Sequence, residues 1–183
     1  MKSWITLAIA CSLSLYTLIG INATAEEASS RTIILVRHAE KLSDTDDPGL
    51  TVQGQQRAKA LVEVLNKTPL SLAITTQFAR TRETLAPLIK ARELPHIMVA
   101  ASRNITAHIA EIKQTINQHS GNIIIAGHSN TVPLIIQALG GPKLPSLKEE
   151  QYDQLFILSI PDKGAVSLIQ TQYGIDKLES AGN

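Results

Sequence analysis

The stretch Thr32-Ile33-Ile34-Leu35-Val36-Arg37-His38-Ala39-Glu40-Lys41 decides the fold. Its first half is an unbroken run of β-branched and aliphatic residues, the composition of a strand buried on both faces of a parallel sheet. The run stops abruptly at Arg-His-x-Glu. Open α/β sheets bind ligands just beyond the carboxyl ends of their strands, so His38 is a candidate functional group.

A second stretch ends the same way. Ile123-Ile124-Ile125-Ala126-Gly127-His128 places another histidine one residue past a solid aliphatic run. If the two strands are parallel neighbours, both imidazoles emerge at one edge of the sheet. A shorter strand over Leu70–Thr75 feeds Arg80 and Arg82 into the start of a helix. His96, His108 and His119 lack this setting and read as structural or exposed.

Working outward, apolar residues recur at helical spacing in three places: Ala58, Leu61, Val62 and Leu65; Leu85, Leu88 and Ile89; and Ile105, Ile109, Ile112 and Ile116. Pro87 lies inside the second pattern and predicts a kink or a late start. Ser129 or Asn130 caps a fourth helix, with Pro133 in its first turn and Gly140-Gly141 beyond its end. His96–Ala100 is a further strand, and Leu155–Ile160 with Ala165–Thr171 predicts a closing hairpin around Pro161-Asp162-Lys163-Gly164. This alternation predicts an α/β three-layer sandwich, a mostly parallel central sheet with helices on both faces.

The totals bound the function. Residues 1–25 read as a cleaved secretory signal peptide: Met1-Lys2, an apolar run from Trp4 to Ile21, then Ala23-Thr24-Ala25 before two glutamates. Retention as a membrane anchor is the alternative, and a lipoprotein reading through Cys11 is weaker. The expected mature domain, residues 26–183, has no cysteine and a formal net charge of zero once Lys2 is gone. It is long enough for one domain that buries about 70 % of its surface. No basic excess points to nucleic acid or to an anionic membrane, and a periplasmic or secreted location is expected. Affinity for anions must therefore come from local placement of arginines. Two histidines and Arg37, Arg80 and Arg82 near one sheet edge suit a phosphoryl group, because guanidinium forks match its oxygens and a neutral imidazole can act as nucleophile. Arg57, three residues after Gly54, is positioned to steer a substrate anion.

Four ordered elements carry a family resemblance. Val36-Arg37-His38-Ala39-Glu40, Leu50-Thr51-x-x-Gly54, Phe78-Ala79-Arg80-Thr81-Arg82-Glu83-Thr84 and Gly127-His128-Ser129-Asn130 resemble the motifs of the histidine phosphatase superfamily, also called phosphoglycerate mutase-like, and within it those of small bacterial members. The resemblance implies that His38 attacks phosphorus and becomes a transient phosphohistidine. Arg37, Arg80 and His128 would hold the phosphoryl oxygens, with no metal and no cofactor. The partner implied is a small phosphorylated substrate.

The chain departs from the family where the proton donor belongs. The long insertion of cofactor-dependent mutases is missing between the arginine block and His128, and Ser129 stands where another branch has aspartate. A mutase is therefore disfavoured, and the general acid stays open among Glu40, Glu111, Glu149, Glu150 and Asp153. Glu40 is nearest in sequence, and its alternative is an arginine orienter or solvated loop carboxylate. A missing donor suits good leaving groups such as phosphohistidine or aryl phosphates. Three readings compete with a small-molecule phosphatase: a phosphohistidine-protein phosphatase, a phosphate-binding module without turnover, and a metal-dependent hydrolase built on His38, Glu40 and Asp44, Asp46 and Asp47.

Overall fold

In the computed structural model, which describes residues 30–43 and 45–174, the aliphatic run becomes the centre of β1 (Ser30–Arg37). The expected export segment and Asp44 lie outside the described residues. Then follow α1 (Val52–Val64), β2 (Leu72–Thr75), α2 (Ala79–Arg92), β3 (His96–Met98), α3 (Ile105–Asn117), β4 (Ile123–Gly127), α4 (Thr131–Ala138), β5 (Gln154–Pro161) and β6 (Ser167–Gln172).

The six strands form one sheet in the order β3-β2-β4-β1-β5-β6. The β3–β2, β2–β4 and β4–β1 pairs are parallel. Both pairs made by β5 are antiparallel, so β5 alone runs against the rest and β6 returns to the direction of β1. The expected α/β sandwich with a mostly parallel sheet is the fold observed.

Alternation along β1 builds the two cores, because successive strand residues point to opposite faces. Ile33 and Leu35 pack with Ile112 and Ile116 of α3 and with Val132, Ile135 and Ile136 of α4. Ile34 and Val36 pack on the other face with Leu61 of α1 and with Leu85 and Leu88 of α2. All four β1 residues are essentially inaccessible, and each such side chain contributes about 1.5–3 kcal/mol of burial. Solid aliphatic sequence is the signature of this two-sided burial.

Local details differ from expectation in three places. Helix α2 runs unbroken from Ala79 with Pro87 inside it, so the proline does not delay its start. Asn130 stands at the N-cap of α4 without a side-chain cap bond; the oxygen that matters there is Thr131 Oγ1, which accepts from the His128 amide at 2.9 Å. The third strand stops at Met98, a short edge strand.

The sheet order places the site. From β1 the chain leaves through α1 on one face, and from β4 it leaves through α4 on the other. The carboxyl ends of these adjacent strands therefore flank a topological switch point, the crevice where open α/β sheets bind ligands.

Candidate active site

Register brings the two histidines together. Arg37 pairs with Gly127 across the parallel β1–β4 ladder, and the next amide, that of His38, donates to Gly127 O at 2.9 Å. The residue that follows the end of β4 is His128. The two imidazoles meet edge to face with centroids 5.5 Å apart. Beside β4, the end of β2 supplies Thr76, whose Oγ1 lies 3.2 Å from His128 Nε2.

The tautomer of His38 is set by its own backbone. Nδ1 lies 2.9 Å from the Ala39 carbonyl, an acceptor only, so the proton is on Nδ1 and the Nε2 lone pair is free. Burial pushes the pKa of His38 down to about 4, with Arg37 and Arg80 adding to the shift and the Ala39 bond opposing it. His128 is pushed down to about 3, again by burial first, then by His38 and Arg80. Both rings are therefore neutral at pH 7.

The arginines reach this point from two elements. Arg37, the last residue of β1, is 2 % exposed. Its Nη1 donates to the carbonyls of Lys148 and Glu149 at 2.7 and 3.0 Å, and Nη2 pairs with Glu149 Oε2 at 2.7 Å. Arg80, in the first turn of α2, lies over the Phe78 ring at 4.3 Å and 3.9 Å from Asp47 Oδ1. Burial lowers its pKa, with neighbouring Arg37 adding to the effect and Asp47 opposing it. The Nε–H groups of both arginines are buried with no protein acceptor. Unsatisfied buried donors are costly, and two cationic ones beside a neutral imidazole make a site for an oxyanion.

Glu40 and Arg57 are brought together, but with each other. Arg57 Nε donates to both carboxylate oxygens at 3.0 Å and Nη2 to Oε1 at 2.6 Å, while Nη1 donates to Tyr173 O at 2.8 Å. Every donor group of Arg57 thus has a protein acceptor, and both oxygens of Glu40 are occupied. Of the other acid candidates, Glu149 is bound to Arg37, Glu111 faces solvent on α3, and Glu150 is exposed. Asp153 accepts from Gln154 and Gln172. Arg82 donates to Gln77 O from an exposed position.

The motif residues around the histidines have structural work to do. Thr84 Oγ1 accepts from the Ala39 amide at 2.9 Å and donates to Arg80 O at 2.6 Å, binding the turn after His38 to α2. Thr51 caps α1 by accepting from Gly54 N at 3.0 Å, and its own amide donates to Glu40 O at 2.9 Å. At Gly54 a Cβ would collide with that same carbonyl oxygen. The Leu-Thr-x-x-Gly spacing is the imprint of this close approach.

Three participants were not legible as such in sequence. Asp47 reads as a solvated turn residue, yet its carboxylate accepts from the Ala79 amide at 2.9 and 3.1 Å and caps α2 from a distant loop. Its signal was indirect: Phe78 at the N-cap has no capping side chain. Tyr152 lies under Arg37 at 4.1 Å and 6.0 Å from the His38 ring. Phe78 abuts His128 at 5.5 Å. Asp47 and Glu40 are each engaged elsewhere, and among the described residues no group of three His, Cys, Asp or Glu side chains is arranged to hold a metal ion.

Comparison with known proteins agrees with this fold. A family model described as histidine phosphatase superfamily (branch 1) matches residues 33–111. The structure is similar to that of the protein histidine phosphatase SixA complexed with tungstate, with TM-score 0.62, 15 % identity, and coverage of 77 % of this chain and 96 % of that one. It is also similar to Bacillus stearothermophilus YhfR, with TM-score 0.58, 18 % identity and coverage of 75 % and 95 %. A third likeness is to mycobacterial glucosyl-3-phosphoglycerate phosphatase, with TM-score 0.60, 13 % identity and coverage of 80 % and 100 %. No curated protein sequence matches the chain. These likenesses show an α/β fold shared with solved phosphatase structures. The resemblance to the histidine phosphatase superfamily carried by the sequence motifs is supported by the family-model match over residues 33–111.

Proposed function

We propose that the protein is an exported, metal-independent phosphatase that hydrolyses a small phosphomonoester through a phosphohistidine on His38. The observation that carries this reading is the free Nε2 of His38 beside two buried guanidinium Nε–H donors that have no protein acceptor. Arg37, Arg80 and His128 would hold the phosphoryl oxygens. The Nε2 lone pair attacks phosphorus, the bond from phosphorus to the leaving oxygen breaks, and its electron pair departs with the leaving group. Water then attacks the phosphohistidine, returning neutral His38 and inorganic phosphate. The arginines would stabilise the charge spread over the phosphoryl oxygens in both steps.

A proton for the leaving group is the weak point of the site. Glu149, the carboxylate on Arg37, has its pKa lowered by the hydrogen bonds from Tyr152 and Arg37, so it is ionised at neutral pH. This favours substrates whose leaving group departs without a donor, aryl phosphates and phosphohistidine among them. Glu40 and Arg57 are better read as a positioning pair than as acid and substrate ligand.

The test is hydrolysis of para-nitrophenyl phosphate in EDTA by the wild type and by His38→Ala, with chemical trapping of an acid-labile, base-stable phosphoenzyme. Activity lost with His38 and a phosphohistidine found at residue 38 support the reading. Undiminished turnover in the variant sinks it. Vanadate binding without turnover identifies a phosphate-binding module instead, and loss of wild-type activity in EDTA restores the metal. Determining the N-terminus of the exported protein tests cleavage after Ala25.

A further inference from the structure

The phosphoryl pocket carries its own counter-charges at the mouth. Glu149 is fixed, not free: Oε2 pairs with Arg37 Nη2 at 2.7 Å and Oε1 accepts from Tyr152 OH at 2.7 Å, while its side chain stays 67 % exposed. Tyr152, which holds it there, lies 6.0 Å from the His38 ring. On the loop before α1, Asp47 is anchored by the Ala79 amide, lies 3.9 Å from Arg80, and is 44 % exposed. Each pocket arginine thus has one partly exposed carboxylate beside it.

We infer that Glu149 is a specificity-determining residue that selects against a second negative charge on the substrate and favours leaving groups that are neutral or cationic. The inference rests on the phosphatase reading of the pocket and deepens it. In-line displacement places the leaving group opposite His38 Nε2, on the open side of the phosphoryl group. A bound phosphoryl dianion engages Arg37 and Arg80 and leaves no uncompensated cation there. Any further anion on the substrate then meets the carboxylate of Glu149 beside Arg37 and that of Asp47 beside Arg80; Lys41 is a further cation acting on Glu149. An ammonium group meets attraction at the same place. Like charges a few ångströms apart at a protein surface change affinity several-fold, less so in salt.

The test uses three phosphonates that bind without chemistry: 2-aminoethylphosphonate, ethylphosphonate and phosphonoacetate, titrated calorimetrically at low ionic strength. Wild type is expected to bind the ammonium compound about 10-fold more tightly than the carboxylate compound. Glu149→Gln, at an exposed position that folding tolerates, is expected to shrink that ratio by about 3- to 10-fold. Ethylphosphonate reports any change common to all three. An identical ratio in both proteins, a wild-type preference for phosphonoacetate, or no binding of any of the three overturns the inference. Turnover of para-nitrophenyl phosphate is read separately on the same two proteins. Its absence with the ratio shift intact overturns the catalytic reading and leaves the charge selection supported.

Discussion

Arg57 and Glu40, which resemble two independent site residues in sequence, form one ion pair that fastens α1 to the turn carrying His38. The pair is largely buried, with side-chain exposures of 7 % and 14 %, and Arg57 continues to the Tyr173 carbonyl at 2.8 Å. Burial lowers the Arg57 pKa, but the hydrogen bond and charge of Glu40 outweigh it and the net shift is upward.

Breaking this pair is expected to unsettle the fold more than the chemistry. Removing one partner of a buried pair leaves the other uncompensated, a loss of about 3–5 kcal/mol. Arg57→Ala should therefore lower the urea midpoint markedly. Glu40→Gln keeps the side chain's shape and two possible acceptor contacts. We expect it to retain para-nitrophenyl phosphate hydrolysis within about 10-fold of wild type, because less than about 1.4 kcal/mol of transition-state stabilisation is at stake. A loss as deep as that of His38→Ala, with the fold intact by circular dichroism, would return Glu40 to a catalytic role.

Gly54 offers a second stability prediction. A Cβ there meets the Glu40 carbonyl oxygen, which is backbone and cannot swing aside. Gly54→Ala is expected to destabilise by about 1–3 kcal/mol, the usual range for overpacking, despite the higher helix propensity of alanine. Thermal or urea unfolding decides it: a stabilised variant would show that the turn after His38 yields easily.

These two cases show what the sequence could and could not reveal. The buried strands, their order of appearance and the matching histidines were legible because two-sided burial demands continuous aliphatic residues. Leu-Thr-x-x-Gly was legible as a pattern, though only the contact with Glu40 O explains it. Asp47, Glu149 and Tyr152 were illegible as a group. They lie on loops whose path is set by long-range contacts, such as Arg37 holding the Lys148 and Glu149 carbonyls. No periodicity encodes such contacts. Glu40 and Arg57 were visible as charged residues near the motifs, but their mutual pairing is a property of the fold.

The Asp47 cap predicts a separable effect on α2. Asp47→Ala removes the acceptor for the Ala79 amide, and loss of an N-cap costs about 0.5–2 kcal/mol. It also removes the carboxylate nearest Arg80. Unfolding should show the destabilisation, while vanadate should bind at least as tightly as to wild type. Weaker vanadate binding in a folded variant would mean that Asp47 is needed to aim Arg80.

The depressed histidine pKa values give the last prediction, for both activity and stability. His38 stays neutral until about pH 4, so the form that the proposed mechanism needs persists well below the range where a free imidazole protonates. The acidic limb of kcat/KM assigned to His38 should accordingly lie near pH 4 rather than near 6.5, measured with an aryl phosphate and corrected for substrate ionisation. Stability has the opposite consequence in the same window. Between about pH 6.5 and 4 the unfolded chain takes up a proton at His38 that the folded chain refuses, so ν in the unfolded state exceeds ν in the native state and stability falls as pH falls. A shift from 6.5 to about 4 corresponds to a loss on the order of 3 kcal/mol across that window, complete once pH drops below the folded value. His38→Gln removes one titrating group and should make this part of the curve of unfolding free energy against pH shallower, the remaining slope coming from His128, which is also held neutral by burial. A variant whose acid destabilisation between pH 6.5 and 4 matches that of wild type would place the titrating burden elsewhere and contradict a neutral, buried His38.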